Sequence, residues 1–165
     1  MAIQDLLLAI KTGPLGSAIA ESPFLFPMIE CVHVLAITFV AGTIFMVDLR
    51  LLGVSARNHA VTKMANEVLP WTWGVFGLAA VTGSLLFTSN ALQYFENGPF
   101  RFKMLCMALA AVNMLIFHFV TEKSVKDWDH DAATPAGAKI AGALSLFFWA
   151  LVIAFGRWIG FTIGA

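Results

Sequence analysis

The chain has 165 residues, 59% of them hydrophobic and 12% charged, where a soluble domain is about 45–50% apolar and about 25% charged. That much apolar surface does not fit inside so small a globule, and a mean hydropathy of +0.83 makes lipid the solvent for most of it. Ten basic and ten acidic residues cancel, which leaves no electrostatic case for a nucleic-acid partner.

Residues 1–22 form the first unit. Ile3, Leu6, Leu7 and Ile10 share one helical face, with Gln4, Asp5 and Lys11 off it, which predicts a short amphipathic helix lying in the membrane interface as an anchor. The longest apolar run there, residues 6–10, has no basic segment before it, unlike a cleavable signal peptide. Residues 23–165 read as one four-span membrane domain, with spans at about 24–52, 69–89, 102–122 and 140–164. Each is long enough for a bilayer, which needs about 20 apolar residues. The expected fold is an all-α integral membrane four-helix bundle.

The first span carries Glu30 and His33, three apart and therefore on one helical face, and ends in Asp48 and Arg50. An ionisable group at the centre of a membrane helix costs about 2.5–3.5 kcal/mol on insertion scales and marks a site by default. The second span has no charge. Pro70 suits its first turn, Trp71 and Trp73 suit an interfacial belt, and Gly77, Ala80 and Ser84 make a small-residue ridge for a neighbouring helix or a flat ligand. Asn97-Gly98-Pro99 signals a turn. The third span sets Lys103, Met107, Ala110, Met114 and His118 on one stripe. A polar stretch with a Pro-Gly break follows, and the fourth span holds Trp149 and the single charge Arg157.

Loops one and three hold Arg50, Arg57, Lys63, Lys123, Lys126 and Lys139 against Lys11, Arg101 and Lys103 on the other side. Six against three places loops one and three in the cytoplasm and both termini outside.

His59 and His130 fall in loops, whereas His33 and His118 lie in apolar spans. Two histidines on different helices, backed by small residues, are what a bundle uses to hold a b-type haem. Depth complicates the pairing. Counted from Glu21 and Arg101 the two histidines lie about 18 and 26 Å in, and counted from Arg50 and Lys123 about 26 and 8 Å. A shared haem therefore requires tilt or a longer third helix, and His33 with Met107 or Met114 is the competing axial pair. Lys103 and Arg157 either pair with Glu30, snorkel to headgroups, or neutralise haem propionates. Asp48 and Arg50 mark the inner interface or join His118 in a proton-moving cluster. Cys31 and Cys106 both fall inside spans, where small buried hydrophobes or soft metal ligands are the open readings.

His33 with Gly42 nine residues on, then Asp48-Leu-Arg50-Leu-Leu-Gly53, Asn97-Gly-Pro-Phe100, Lys103-Met104, Asn113, Phe117-His118, Trp149 and Gly156-Arg157-Trp158 resemble an uncharacterised family of small bacterial multi-pass membrane proteins. His33-to-Gly42 and Lys103-to-Asn113 more loosely resemble copper resistance protein D. The first-span histidine and arginine, with a third-span lysine and histidine, resemble the four-helix haem-binding protoporphyrinogen oxidase of bacteria. The resemblance implies a bundle in the bacterial inner membrane with a haem or metal site at His33. The second and fourth spans contain no histidine, unlike the two-haem cytochrome b561 pattern.

The resulting expectation is a membrane cytochrome binding one haem b for electron transfer, at most an oxidoreductase-type protein with no catalytic residue assigned. Its ligands would be His33 and His118, or a methionine in place of the latter, and its partners the bilayer and a quinone or other redox partner, alone, as a homo-oligomer or in a larger complex. The rivals are copper or small-solute transport, using Cys31, His33, Met104, Met107 and Met114, and a non-catalytic anchor subunit.

Overall fold

In the computed structural model, residues 2–55, 59–121, 125–129 and 134–163 are described, with only the backbone of Val120, Thr121, Lys126 and Asp127. Arg57, Lys123 and His130 lie outside them. Two short helices, α1 (Ala2–Thr12) and α2 (Pro14–Glu21), precede α3 (Leu25–Leu51) and α4 (Val61–Ser89). Then come α5 (Ala91–Glu96), α6 (Gly98–Ile116), a π-helical turn (Phe117–Thr121), α7 (Val125–Trp128) and α8 (Ala136–Thr162). Four of these stretches, α3, α4, α6 with the start of the π turn, and α8, are 27, 29, 22 and 27 residues long and apolar enough to cross a membrane. Only 11–17% of each apolar stretch is buried within the chain, so the remainder faces lipid. The chain is an all-α helical bundle and a multi-pass membrane protein.

The expected single amphipathic helix is two, broken at Gly13-Pro14, because proline removes a backbone donor and restricts the residue before it. The spans also start earlier than hydropathy indicates. α6 begins at Gly98 because the Asn97 side-chain oxygen accepts from the Phe100 N–H at 2.9 Å, with Pro99 in the first turn. The Asn-Gly-Pro turn signal is thus a helix cap. Asn97 also donates to the Thr162 hydroxyl at 2.8 Å, which ties the start of α6 to the end of α8. α4 begins at Val61, eight residues before the expected span, so Pro70 sits inside the helix instead of in its first turn. The polar segment 62–67 extends the helix beyond its apolar part, because Val61 is buried in a cluster with Leu51, Val125, Trp128 and Ala138.

That cluster closes the end of the bundle where α3 stops. Val125 and Trp128, three apart in a stretch expected to be a polar loop, are one buried helical turn. Burying such side chains is worth roughly 1.5–3 kcal/mol each. α3 ends at Gly53, whose φ of 71° is left-handed; the Gly53 N–H returns to the Arg50 carbonyl at 3.0 Å and the Val54 N–H to the Leu49 carbonyl at 3.0 Å, satisfying the last carbonyls of the helix.

α3 packs along α4 and α6 along α8, and the two pairs meet along α3 and α8. Among the described residues α6 forms no extended seam with α3 or α4. The bundle is therefore two helical hairpins, α3–α4 and α6–α8, joined along α3 and α8. α2 packs on α4 and α1 on α5, both at the end where α3 begins.

Candidate functional site

His33 lies eight residues into α3, about 12 Å from its start at 1.5 Å per residue. Its ring is half-buried against α4. A Cβ built on Gly83 would stand 2.9 Å from His33 Cε1, closer than real carbon contacts, so only glycine lets the imidazole lie there. The small-residue expectation for the second span holds in kind and misses in position. Ala80 and Ser84 are exposed, nothing lies near a Cβ built on Gly77, and the packed positions are Ala79, Thr82, Gly83 and Leu86.

Thr82, a buried hydroxyl, is 2.9 Å from His33 Nδ1. The hydroxyl has one hydrogen, and its helical position directs that hydrogen to the Leu78 carbonyl at 2.8 Å. With the hydrogen placed there, the hydroxyl oxygen is open to accept from Nδ1–H, the tautomer that would leave the lone pair on Nε2. A histidine that donates through one nitrogen while the other keeps its lone pair is arranged as a metal ligand.

Lys103, five residues into α6, lies within electrostatic range of His33. Its stem runs over Gly156 of α8, with Cε and Nζ each 3.7 Å from where a Cβ there would be. Burial is the sole influence on its ammonium, and no described residue pairs with it. By helix rise, Lys103 is about 8 Å and Met107 about 14 Å from the start of α6, Thr82 about 10 Å from the end of α4, and Gly156 about 9 Å from the end of α8. These four, with His33, form one layer near the His33 end.

The other sequence candidates are not in that layer. His118 is twenty residues into the third span, about 30 Å along, exposed in the π-helical turn with its ring against Phe119 at 5.3 Å. The structure does not bring it to His33. The stripe of the third span also drifts outward: the packed positions are Lys103, Cys106, Met107, Ala110, Asn113 and Phe117, and Met114 is exposed. Met107 is half-buried. Arg157, expected either to pair with Glu30, to neutralise a propionate or to snorkel to headgroups, is exposed, its guanidinium 5.4 Å from the Phe161 ring centre. Cys31, Glu30 and Met104 are exposed and Cys106 is buried alone. The copper set is not gathered, and no cluster of three or more His, Cys, Asp or Glu side chains occurs among the described residues.

Above the layer, Phe87, Tyr94 and Phe100 stack with centres 5.6–6.2 Å apart, closing the space beside α5. Burial pushes the Tyr94 hydroxyl up from its ordinary pKa, and the nearby Glu30 carboxylate adds to it.

At the opposite end Arg50 is 3% exposed. Its Nε donates to the His59 carbonyl at 2.7 Å and a terminal nitrogen donates to the Asp129 carbonyl at 3.2 Å. The Asp129 carboxylate accepts from the Thr62 N–H at 2.9 Å and from the Thr62 hydroxyl. Arg50 thus pins the start of α4 and the chain after α7 to α3. Asp48 points elsewhere, to Ser145 of α8. The proposed Asp48–Arg50–His118 cluster is not assembled. Thr82, Thr62, Asp129 and Ser145 were not singled out from the sequence, since isolated hydroxyls and one loop carboxylate carry no spacing signal.

A family model described only as a family of unknown function (DUF6644) matches residues 24–162; the chain belongs to that family. No curated protein matches the chain. No solved structure matches it either.

Proposed function

We propose that the protein binds one b-type haem at the His33 layer and passes single electrons within the bacterial inner membrane. The observation that carries this reading is the His33–Thr82 hydrogen bond. It leaves Nε2 with a lone pair in a layer whose only nearby cation, Lys103, has no protein partner among the described residues. A ring nitrogen and a spare cation side by side are complementary to an anionic, iron-bearing group, whereas a bare copper ion would be repelled by the ammonium.

In this reading His33 would hold the iron through Nε2, and Thr82 would orient its ring. Lys103 compensates a propionate, and Met107, at the depth of His33, is the second axial candidate in preference to His118 or Met114. Arg157 lies on the same level but on the exposed side, where it serves headgroups better than a buried propionate. When bound, the haem supplies a one-electron iron couple. The chain's own groups fix its position and raise the potential by keeping positive charge beside it. A quinone or a partner subunit completes the electron path, and both termini lie on the outer side. Fusions at the C-terminus that report an extracytoplasmic position support that orientation, and activity of a cytoplasm-only reporter overturns it.

The test is a visible spectrum of detergent-purified protein expressed with haem supply. The expected result is a reduced-minus-oxidised spectrum with sharp b-type bands that His33→Ala removes or converts to high spin. Folded, colourless wild-type protein overturns the reading and leaves transport or anchoring in its place.

A further inference from the structure

Asp48 is a buried carboxyl that the haem reading does not use. It is 5% exposed and lies one turn before α3 ends, in the seam with α8. The helices come close there: a Cβ at Gly142 would stand 3.1 Å from Leu51 Cβ and 3.2 Å from the Asp48 carbonyl oxygen. Ser145 of α8 is the hydroxyl within reach of the carboxyl group, and Oδ2 has no hydrogen-bond partner among the described residues.

No described cation answers it. Arg50, on the same helix, is committed to the His59 and Asp129 carbonyls. α8 has no charge between Lys139 and Arg157, and α4 has none after Glu67. Lys139, Lys63, Glu67 and His118 are all exposed. An ionised carboxylate in a dry seam with one hydroxyl donor carries a desolvation penalty that nothing nearby offsets. The neutral acid avoids that penalty and keeps the Ser145 bond.

We propose that Asp48 is a proton-binding site. It takes up and gives back one proton through water at the end of the bundle where α3 stops. One proton from that water forms the O–H bond on the carboxylate, with no electron transferred. Release of the proton at alkaline pH returns a negative charge to the α3–α8 seam and loosens it. The site is independent of the haem reading, since it shares no residue with the His33 layer and is fifteen residues away on α3.

Infrared spectroscopy of the full-length protein in lipid vesicles tests it. At neutral pH the carbonyl stretch of a protonated carboxylic acid is expected, moving on transfer to D2O and disappearing reversibly at alkaline pH. Asp48→Asn should remove that band, and Ser145→Ala should shift its frequency, a check that holds if Asp48→Asn fails to fold. Absence of the band at neutral pH, its persistence in Asp48→Asn, or an unmoved band in folded Ser145→Ala overturns the proposal. So does a band that appears only when sodium is withdrawn, which would mark a metal-cation site instead.

Discussion

At the Arg50 end a guanidinium, two backbone carbonyls, a carboxylate and a threonine spend their hydrogen-bonding capacity on one another. At the His33 end an imidazole nitrogen and an ammonium have no protein partner among the described residues, while His33 Nδ1 and the Thr82 hydroxyl are paired. Both regions place charge where water is scarce, so both had to meet the same desolvation cost. One meets it internally and tolerates no ligand. The other leaves two such groups unspent, and the haem proposed for it would use them. The difference lies in whether the polar atoms point at each other, and the number of polar residues does not decide it.

The largest effect that sharpens this contrast is His33→Ala. It removes the lone-pair donor from a layer with no second histidine, so cofactor retention should fall to background while the helical content of the purified protein stays unchanged. Absorbance per unit of folded protein measures this. Unfolding in step with pigment loss would make the two ends alike, both structural.

Next in size is Arg50→Ala. Two part-buried carbonyl acceptors lose their donor at up to about 1–3 kcal/mol each. Thermal unfolding in detergent should therefore fall by roughly 5–15 °C, at about 2–4 °C per kcal/mol for a chain of this length. Pigment per folded molecule should not change. A folded Arg50→Ala protein that has lost its pigment would break the separation between the two ends.

Smaller again is Thr82→Val, which keeps the shape of the residue and deletes the acceptor for Nδ1–H. Loss of a partner that orients a metal ligand typically costs about 10–100-fold in affinity. The expected outcome is haem retention weakened by about 10-fold, with the spectrum broadened and stability nearly unchanged. Competition with apomyoglobin for the haem provides the readout.

The four spans and the distinction of His33 were legible because hydropathy and a polar residue in an apolar run are one-dimensional signals. Lys103 was legible for the same reason. Helix ends were less so: Asn97 read as a turn residue, yet turn and cap chemistry use the same side chain. The buried turn Val125–Trp128 was missed because two apolar residues three apart are easily overlooked in a polar stretch. The inward stripe of α6 was misassigned at its far end. From Lys103 the steps to Met107, Ala110, Met114 and His118 were treated as one face, but a straight helix rotates that series away from its partner, and the packed residues become Asn113 and Phe117. Arg157 failed differently: adjacent to Gly156, which does face Lys103, it occupies the next position around the helix and so points away.

The smallest expected effect is the most discriminating for the site. His118→Ala should leave the position and intensity of the reduced bands unchanged, because His118 lies about 30 Å along the third span and His33 about 12 Å along the first. The two axial ligands of one iron must approach it from opposite faces at the same depth. Lys103 lies within electrostatic range of His33, and no modest tilt removes a mismatch of about 18 Å. Met107, at about 14 Å, needs no such slide, so Met107→Leu should convert the low-spin bands toward high spin where His118→Ala does nothing. The pair of spectra separates the alternatives. A spectrum altered by His118→Ala and indifferent to Met107→Leu would mean that α6 is displaced by about three turns relative to α3 in the loaded protein, and the layer built around His33 and Lys103 would have to be abandoned.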